Sequence, residues 1–330
     1  MIRLRMFGLC LMAVMAIGAV AAASASAEAP EYGRCIKKAK TEGAGFSDSN
    51  CGTAVGAEGK YEWLAGPGPK AKFTSIERFI FSGKYTNCLR ARGEEEIAEQ
   101  KRKEAETAPE PEKARLIREA EEHEHVAEER RAKAKLSKAE CETLIEEERA
   151  KAPAVLETVT GLQVTCGGVT SAGEYTGVKT VGNLTTTFTE CAIAGFSCQS
   201  AGAEEGEIAT NTLDGSLGVV QKEEPLTKVK VKIGLDLYPA EGSAVAEFSC
   251  DGVPIAVTGS VIHEVKANKM VLTESEKFAQ SKGKQKPEKF EGQPADVFET
   301  SLGGGPSVQS GLMLKGELTN EEKIEVNSIV

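Results

Sequence analysis

Histidine and aromatic residues are scarce in this chain. Three histidines stand among 330 residues, aromatics make up 5%, and there is one tryptophan. So few imidazoles exclude a histidine-rich metal centre. Basic charge is also short: 40 Lys and Arg against 50 Asp and Glu leave a net charge of −10. That balance excludes non-specific nucleic-acid binding and docking on anionic lipid. G-x-S-x-G, G-x-x-x-x-G-K-[ST] and H-E-x-x-H strings are all missing. Their absence removes the nucleophile elbow, the phosphate loop and the zinc-protease helix. What remains is 40% hydrophobic, too apolar for a wholly disordered chain and long enough for one large domain or two small ones.

The N-terminus has a targeting pattern. Arg3 and Arg5 precede an apolar run from Met6 to about Ala23, followed by Ala25-Ser26-Ala27. A basic start, an apolar stretch and a small-x-small site describe a cleaved export signal over residues 1–27. The run is rich in Ala and Gly, too weakly apolar for the ~20 residues of a spanning helix. Cys10 lies inside it, the wrong place for a lipid-anchored N-terminus. No membrane span is expected in the mature chain, whose net charge is −12 once Arg3 and Arg5 are removed.

Eight cysteines remain: Cys35, Cys51, Cys88, Cys141, Cys166, Cys191, Cys198 and Cys250. An even number in an exported chain reads as disulfides. Cys35 with Cys51, and Cys191 with Cys198, are close in sequence with turn-forming residues between. Cys166 shares strand parity with Leu162 and Val164, and Cys250 with Ala246 and Phe248, which favours a buried bridge between these two. Cys88 and Cys141 then close the base of the segment they flank. Zinc needs closer cysteine spacing than any here, so no metal or other cofactor is expected.

Composition divides the chain. Residues 28–75 are a loop-rich Cys segment, with a short helix expected over 35–40 and a strand at Tyr61-Glu62-Trp63-Leu64. Residues 76–91 are expected to join the β-domain through a strand within 73–81. Residues 92–152 carry 33 charged side chains in 61, without an aromatic. Their Ala, Glu, Lys and Arg are strong helix formers. Pro109 and Pro111 divide a first helix near 93–107 from a second starting about 112, and Ser137-x-x-Glu140 has capping-box spacing. Leu116, Ala120, Ala127, Ala134, Cys141 and Leu144 follow a 4-3 repeat, but His123, Arg130 and Ser137 interrupt it, leaving a thin seam for a coiled coil. A helical hairpin inserted into a β-domain is the expectation.

Residues 153–330 read as β-structure. Val229, Val231, Ile233, Leu235 and Leu237 alternate with mostly polar residues, and Val253, Ile255, Val257, Val261, His263 and Val265 share one parity. Shorter strands are expected at 155–166, 174–190, 206–221, 244–250, 269–275, 296–302, 308–318 and 323–327. Asp214-Gly215 and Asp251-Gly252 are turn signals. The fold class is mainly β: an antiparallel sandwich or barrel with an inserted charged helical hairpin.

Four stretches, Glu31-Tyr32-Gly33-Arg34-Cys35, Gly59 to Pro67, Gly173-Glu174-Tyr175-Thr176-Gly177 and Lys284 to Gly292, resemble an uncharacterised family of secreted proteins met chiefly in actinobacteria. The resemblance covers residues 31–75 and most of 155–327. It implies export and carries no activity or site residue.

Chemistry is thinly signalled. His123 and His125 point ~200° apart on a helix and suggest Glu119–His123 and Glu121–His125 surface pairs. His263 reads as a buried, hydrogen-bonded core residue. Asp236 and Glu247 occupy polar-parity positions and read as solvated. Lys277, Lys282, Lys284, Lys286 and Lys289 form a basic stretch without interleaved aromatics, and Gly303-Gly304-Gly305 reads as a turn. Asn183-Leu184-Thr185 matches the N-glycosylation acceptor pattern, idle in a bacterial producer. No catalytic residue is nominated. The expected product is a secreted or envelope-associated binding or structural protein, its partner a protein or glycan at the cell surface. A carboxylate-dependent hydrolase of an extracellular polymer, and an interaction module built on residues 92–152, are the alternatives.

Overall fold

The computed structural model describes residues 30–38, 44–223, 230–293 and 296–328. The expected export signal over 1–27 and Val229 lie outside the described residues. The loop-rich Cys segment is instead a small sheet. Strand β1 (Glu31–Lys37) stands at 35–37 where a helix over 35–40 is expected, because its backbone there is taken up by the β4 ladder; residues 39–40 lie outside the described residues. Strands β2 (Ala44–Phe46), β3 (Ala54–Gly59) and β4 (Tyr61–Ala65) complete the sheet. The Trp63 ring lies where a Cβ on Gly33 would sit, 2.3 Å away, so only glycine fits beneath it.

Strand β5 (Lys72–Arg78) leads into three helices: α1 (Gly83–Thr107), α2 (Glu112–Ala134) and α3 (Lys138–Arg149). The first helix starts ten residues before the expected 93. Ser82 accepts from the Tyr85 N–H as its cap, and Tyr85, Cys88 and Leu89 are buried by the first turns. The capping box at Ser137 and Glu140 forms as the spacing predicts. Ala91, Ala98 and Ala105 of α1, and Ala120, Ala127 and Ala134 of α2, are buried at seven-residue spacing. Their small side chains let the antiparallel pair approach closely. The hairpin is short and its seam includes Glu94 and His123, so no coiled coil is shown.

The remaining strands are β6 (Ala154–Thr158), β7 (Gln163–Cys166), β8 (Gly168–Tyr175), β9 (Thr180–Thr189), β10 (Ala192–Ile193), β11 (Phe196–Gln199), β12 (Ile208–Ala209), β13 (Leu213–Glu223), β14 (Lys230–Pro239), β15 (Ala244–Cys250), β16 (Val253–Gly259), β17 (Val261–Val265), β18 (Val271–Ser281), β19 (Lys284–Lys286), β20 (Phe298–Leu302) and β21 (Val308–Asn327). They build an eight-stranded antiparallel barrel with outer strands. One ring closes through β21, β6, β7, β10, β11, β15, β16, β20 and back to β21. The same columns continue toward the other end as β21, β5, β8, β9, β13, β14 and β17, with β18 returning beside β21. The expected turn at Asp214-Gly215 lies inside β13. A Cβ there would fall 2.7 Å from Leu237 and 2.8 Å from Val181, so the glycine serves packing.

The register shows where the helices enter. Arg78 of β5 pairs with Gly168, and Ala154 of β6 pairs with Cys166. One residue on the neighbouring strand therefore spans the break, although residues 79–153 intervene in sequence. The helical arm interrupts a single strand column. Its root packs tightly: Gly93 and Gly195 sit where a Cβ would clash with Ala194 and Arg90 respectively, and the Arg90 guanidinium lies 3.6 Å from the Phe196 ring centroid. The charged insertion thus begins in structure at 83, inside the expected joining segment 76–91.

All eight described cysteines form disulfides. Cys35–Cys51 and Cys88–Cys141 pair as expected. The other four pair as Cys166–Cys191 and Cys198–Cys250, correcting the expected Cys166–Cys250 and Cys191–Cys198. Their inward parity holds, but each bridge joins adjacent strands rather than crossing the core. Cys198 stands directly opposite Cys250 in the β11–β15 ladder, with Cα atoms 4.1 Å apart. Cys191 adjoins the β10–β7 ladder, 4.0 Å from the Cys166 Cα.

Non-reducing peptide mapping should recover Cys166–Cys191 and Cys198–Cys250; a Cys166–Cys250 peptide would contradict the barrel register. Deleting residues 80–153, so that Phe79 meets Ala154, should leave a cooperatively unfolding β-protein. The loss of the packed root should cost about 1–3 kcal/mol in urea titration. A non-cooperative transition would show that the arm is an integral part of the barrel.

Candidate functional site

Inward side chains of both half-rings enclose a cavity of about 110 Å³. Most of its wall is apolar, including Val181, Leu184, Leu235, Leu237, Val261 and Leu318. At the end covered by β1 the wall becomes polar. Tyr32, Phe73 and Tyr175 form an aromatic group with ring centroids 4.6 and 5.0 Å apart. The Tyr175 hydroxyl donates to Asn320 Oδ1 at 2.8 Å. Ser75 and Asn320 are 2% and 3% exposed, yet Asn320 Nδ2 has no hydrogen-bond partner in the protein, and Ser75 Oγ and Glu276 Oε2 lie near one another without a close bond. Buried polar atoms left alone cost about 1–3 kcal/mol each, so this group marks a site built to meet something else.

Glu274 and Glu276 alternate with exposed Ser275 on β18 and face the same interior. Burial pushes the Glu274 carboxyl up to about 7, with Glu276 adding repulsion and Lys266 opposing it. Burial also raises Glu276, partly offset by the neighbouring Ser75 hydroxyl. Burial, with the two glutamates adding repulsion, lifts the Tyr175 phenol above its ordinary range. Opposite Glu276 in the β18–β21 ladder stands Gly316. A Cβ there would be 3.0 Å from Ser75 Oγ and 3.8 Å from Glu276 Oε2, so the missing side chain leaves the space between them open.

Beside this cluster the described residues form no ladder between β17 and β18. His263 bridges the seam: its Nε2 accepts from the Lys277 backbone N–H at 3.3 Å, and its ring stacks on Phe278. That bond requires the neutral ring with its proton on Nδ1, and burial lowers the His263 pKa to about 4. The expectation of a buried, hydrogen-bonded histidine is met.

The other signalled residues lie apart. His123 Nδ1 is 2.7 Å from Glu94 of α1, and His125 is 3.8 Å from Glu129, correcting the expected pairs with Glu119 and Glu121. The cross-helix partner wins because α1 packs directly on that face. Glu247 is exposed, as its parity predicts, whereas Asp236 is 8% exposed. Its outward face is covered, and burial raises its carboxyl to about 6, with Asp296 contributing. Lys282, Lys284, Lys286 and Lys289 line an open groove, while Lys277 is separated from them on β18. Between them Gln285 points inward: its Oε1 accepts from the Leu312 N–H at 2.7 Å and its Nε2 donates to the Leu312 carbonyl at 3.3 Å. Gly303 and Gly304 form a turn with positive φ, as read. Among the described residues no cluster of three metal-ligating side chains exists, and no helix is long and apolar enough to cross a membrane.

Glu274, Glu276, Ser75 and Asn320 escaped sequence reading. The only signal was weak: Glu274, Glu276 and Phe278 share one parity, placing two acids on the face of a core aromatic. No family model, curated protein or solved structure matches this chain.

Glu274 gives a signed pH dependence. Between about pH 4.5 and 7 the folded chain holds a proton there that the unfolded chain releases. Stability from this group is present at low pH and declines as pH rises through that window. His263 works oppositely, favouring stability as pH rises from about 4 to 6.5. Glu274→Gln should therefore gain about 1–2 kcal/mol relative to the parent between pH 5 and pH 8 in urea unfolding. An unchanged difference between the two proteins would mean that Glu274 is solvated.

Proposed function

We propose that the chain is an exported, non-enzymatic binding protein and that the barrel interior is its ligand pocket. The carrying observation is the cavity: apolar walls ending in Ser75, Glu274 and Glu276, with Ser75 Oγ and Glu276 Oε2 holding no close hydrogen bond. Pairing of all eight described cysteines suits an oxidising compartment, and the resemblance to a secreted family points the same way. Export to the medium or the cell envelope follows from that reading.

The alternatives fit less well. Polymer hydrolysis by paired carboxylates needs a cleft that threads a chain between them. Glu274 and Glu276 sit on one strand facing an enclosed space of about 110 Å³, and Asp236 is covered. An arm used as a docking module would need a free apolar stripe, whereas Leu116, Ala120, Ala127 and Ile145 are buried within the helices.

Isobutanol, which matches the cavity of about 110 Å³ in size, tests the reading. It should raise the unfolding temperature saturably and shift methyl resonances of Val181, Val261 and Leu318. Gly316→Val, which fills the space between Ser75 and Glu276, should abolish both effects. Absence of any saturable shift in the folded parent protein would overturn the pocket.

A further inference from the structure

We propose that the pocket takes a small organic cation, a primary amine with a compact apolar body, its ammonium set between Glu274, Glu276 and Ser75. This rests on the reading of the barrel interior as a ligand pocket and adds the class of ligand.

The charge balance points to a cation. Two glutamates share the interior face of β18, and among the described residues no lysine or arginine side chain lines the cavity. Lys266 acts on Glu274 and opposes the burial effect without cancelling it. Such a pair is costly to ionise alone, and an ammonium between the carboxylates removes that cost. Its three N–H donors need three acceptors. Ser75 Oγ and Glu276 Oε2 are neighbours without a close hydrogen bond, so each keeps a lone pair to offer, and Glu274 supplies the third acceptor.

The aromatic group strengthens the case. Phe73 and Tyr175 line the same end of the cavity, their ring centroids 5.0 Å apart. Aromatic faces beside carboxylates suit an alkylammonium better than a bare metal ion, because rings attract organic cations but offer a metal no ligand. An apolar cavity of about 150 Å³ takes a six-atom ring, so about 110 Å³ limits the ligand to roughly four or five heavy atoms. The β17–β18 seam, bridged by the bond from Lys277 N–H to His263 Nε2, is the side of the barrel without a ladder among the described residues.

Calorimetric titration of the full chain with isobutylamine and with isobutanol, its neutral counterpart, tests the class. At pH 8 isobutylamine should bind at least about tenfold tighter. That advantage should shrink at pH 5, where Glu274, with a pKa of about 7, holds its proton. The groups facing the site are Glu274, Glu276, Tyr32, Tyr175, His263 and Lys266. The raised phenols and the lowered imidazole keep their protonation state between these pH values, so the glutamates carry the change. Glu274→Gln and Glu276→Gln should each weaken isobutylamine about tenfold and leave isobutanol within about twofold. Equal binding of alcohol and amine at pH 8, with no pH effect on the parent protein, would overturn the amine while leaving the pocket in place. Failure of both probes to bind would overturn the pocket as well.

Discussion

The barrel depends on one strand being long enough to serve both of its halves. Val308–Asn327 runs for twenty residues and pairs with β1, β5, β6, β18 and β20. Most other columns are assembled from two shorter pieces. Strands of two to five residues, such as β10, β11 and β7, have little cohesion of their own. They are held because the ring closes on β21 and leaves few free edges, and because two disulfides stitch β7, the β10–β11 hairpin and β15 side by side.

Breaks in the columns are repaired by local chemistry. The helical arm leaves and rejoins one column, with the Phe79 N–H donating to the Gly167 carbonyl and the Lys315 N–H to the Pro153 carbonyl at the two ends. The second interruption lies between β18 and β20. There the Gln285 side chain presents a carbonyl and an N–H to Leu312, as a strand neighbour would. A primary amide reproduces both groups of a peptide unit, so the ladder continues without backbone. Glutamate would lose the donor and alanine both contacts.

Sequence reading captured what period and composition encode. The alternation at 253–265 located β16 and β17, though Ser260 divides them. Alanine and glutamate content located the arm. Parity placed Cys166, Cys250 and His263 inside. It missed partners, because facing inward is a local property whereas lying beside a given strand is topological. The same limit hid the candidate site. Ser75, Glu276 and Asn320 come from three strands, and only the register of β5, β18 and β21 brings them together. Asp236 shows the converse: its parity is correctly outward, yet it is buried because another part of the chain covers that face.

The position of the arm also bears on how the chain finds its native state. Joining β5 to β6 across β21 means closing a long loop, and such non-local contacts slow folding. The helices within that loop rely on near-neighbour contacts, and the Cys88–Cys141 bridge ties their base. A hairpin that collapses early on its own would draw Arg78 and Ala154 close before either reaches the sheet. The appendage would then act as an internal jig during assembly, converting a slow search between remote segments into a nearly local one.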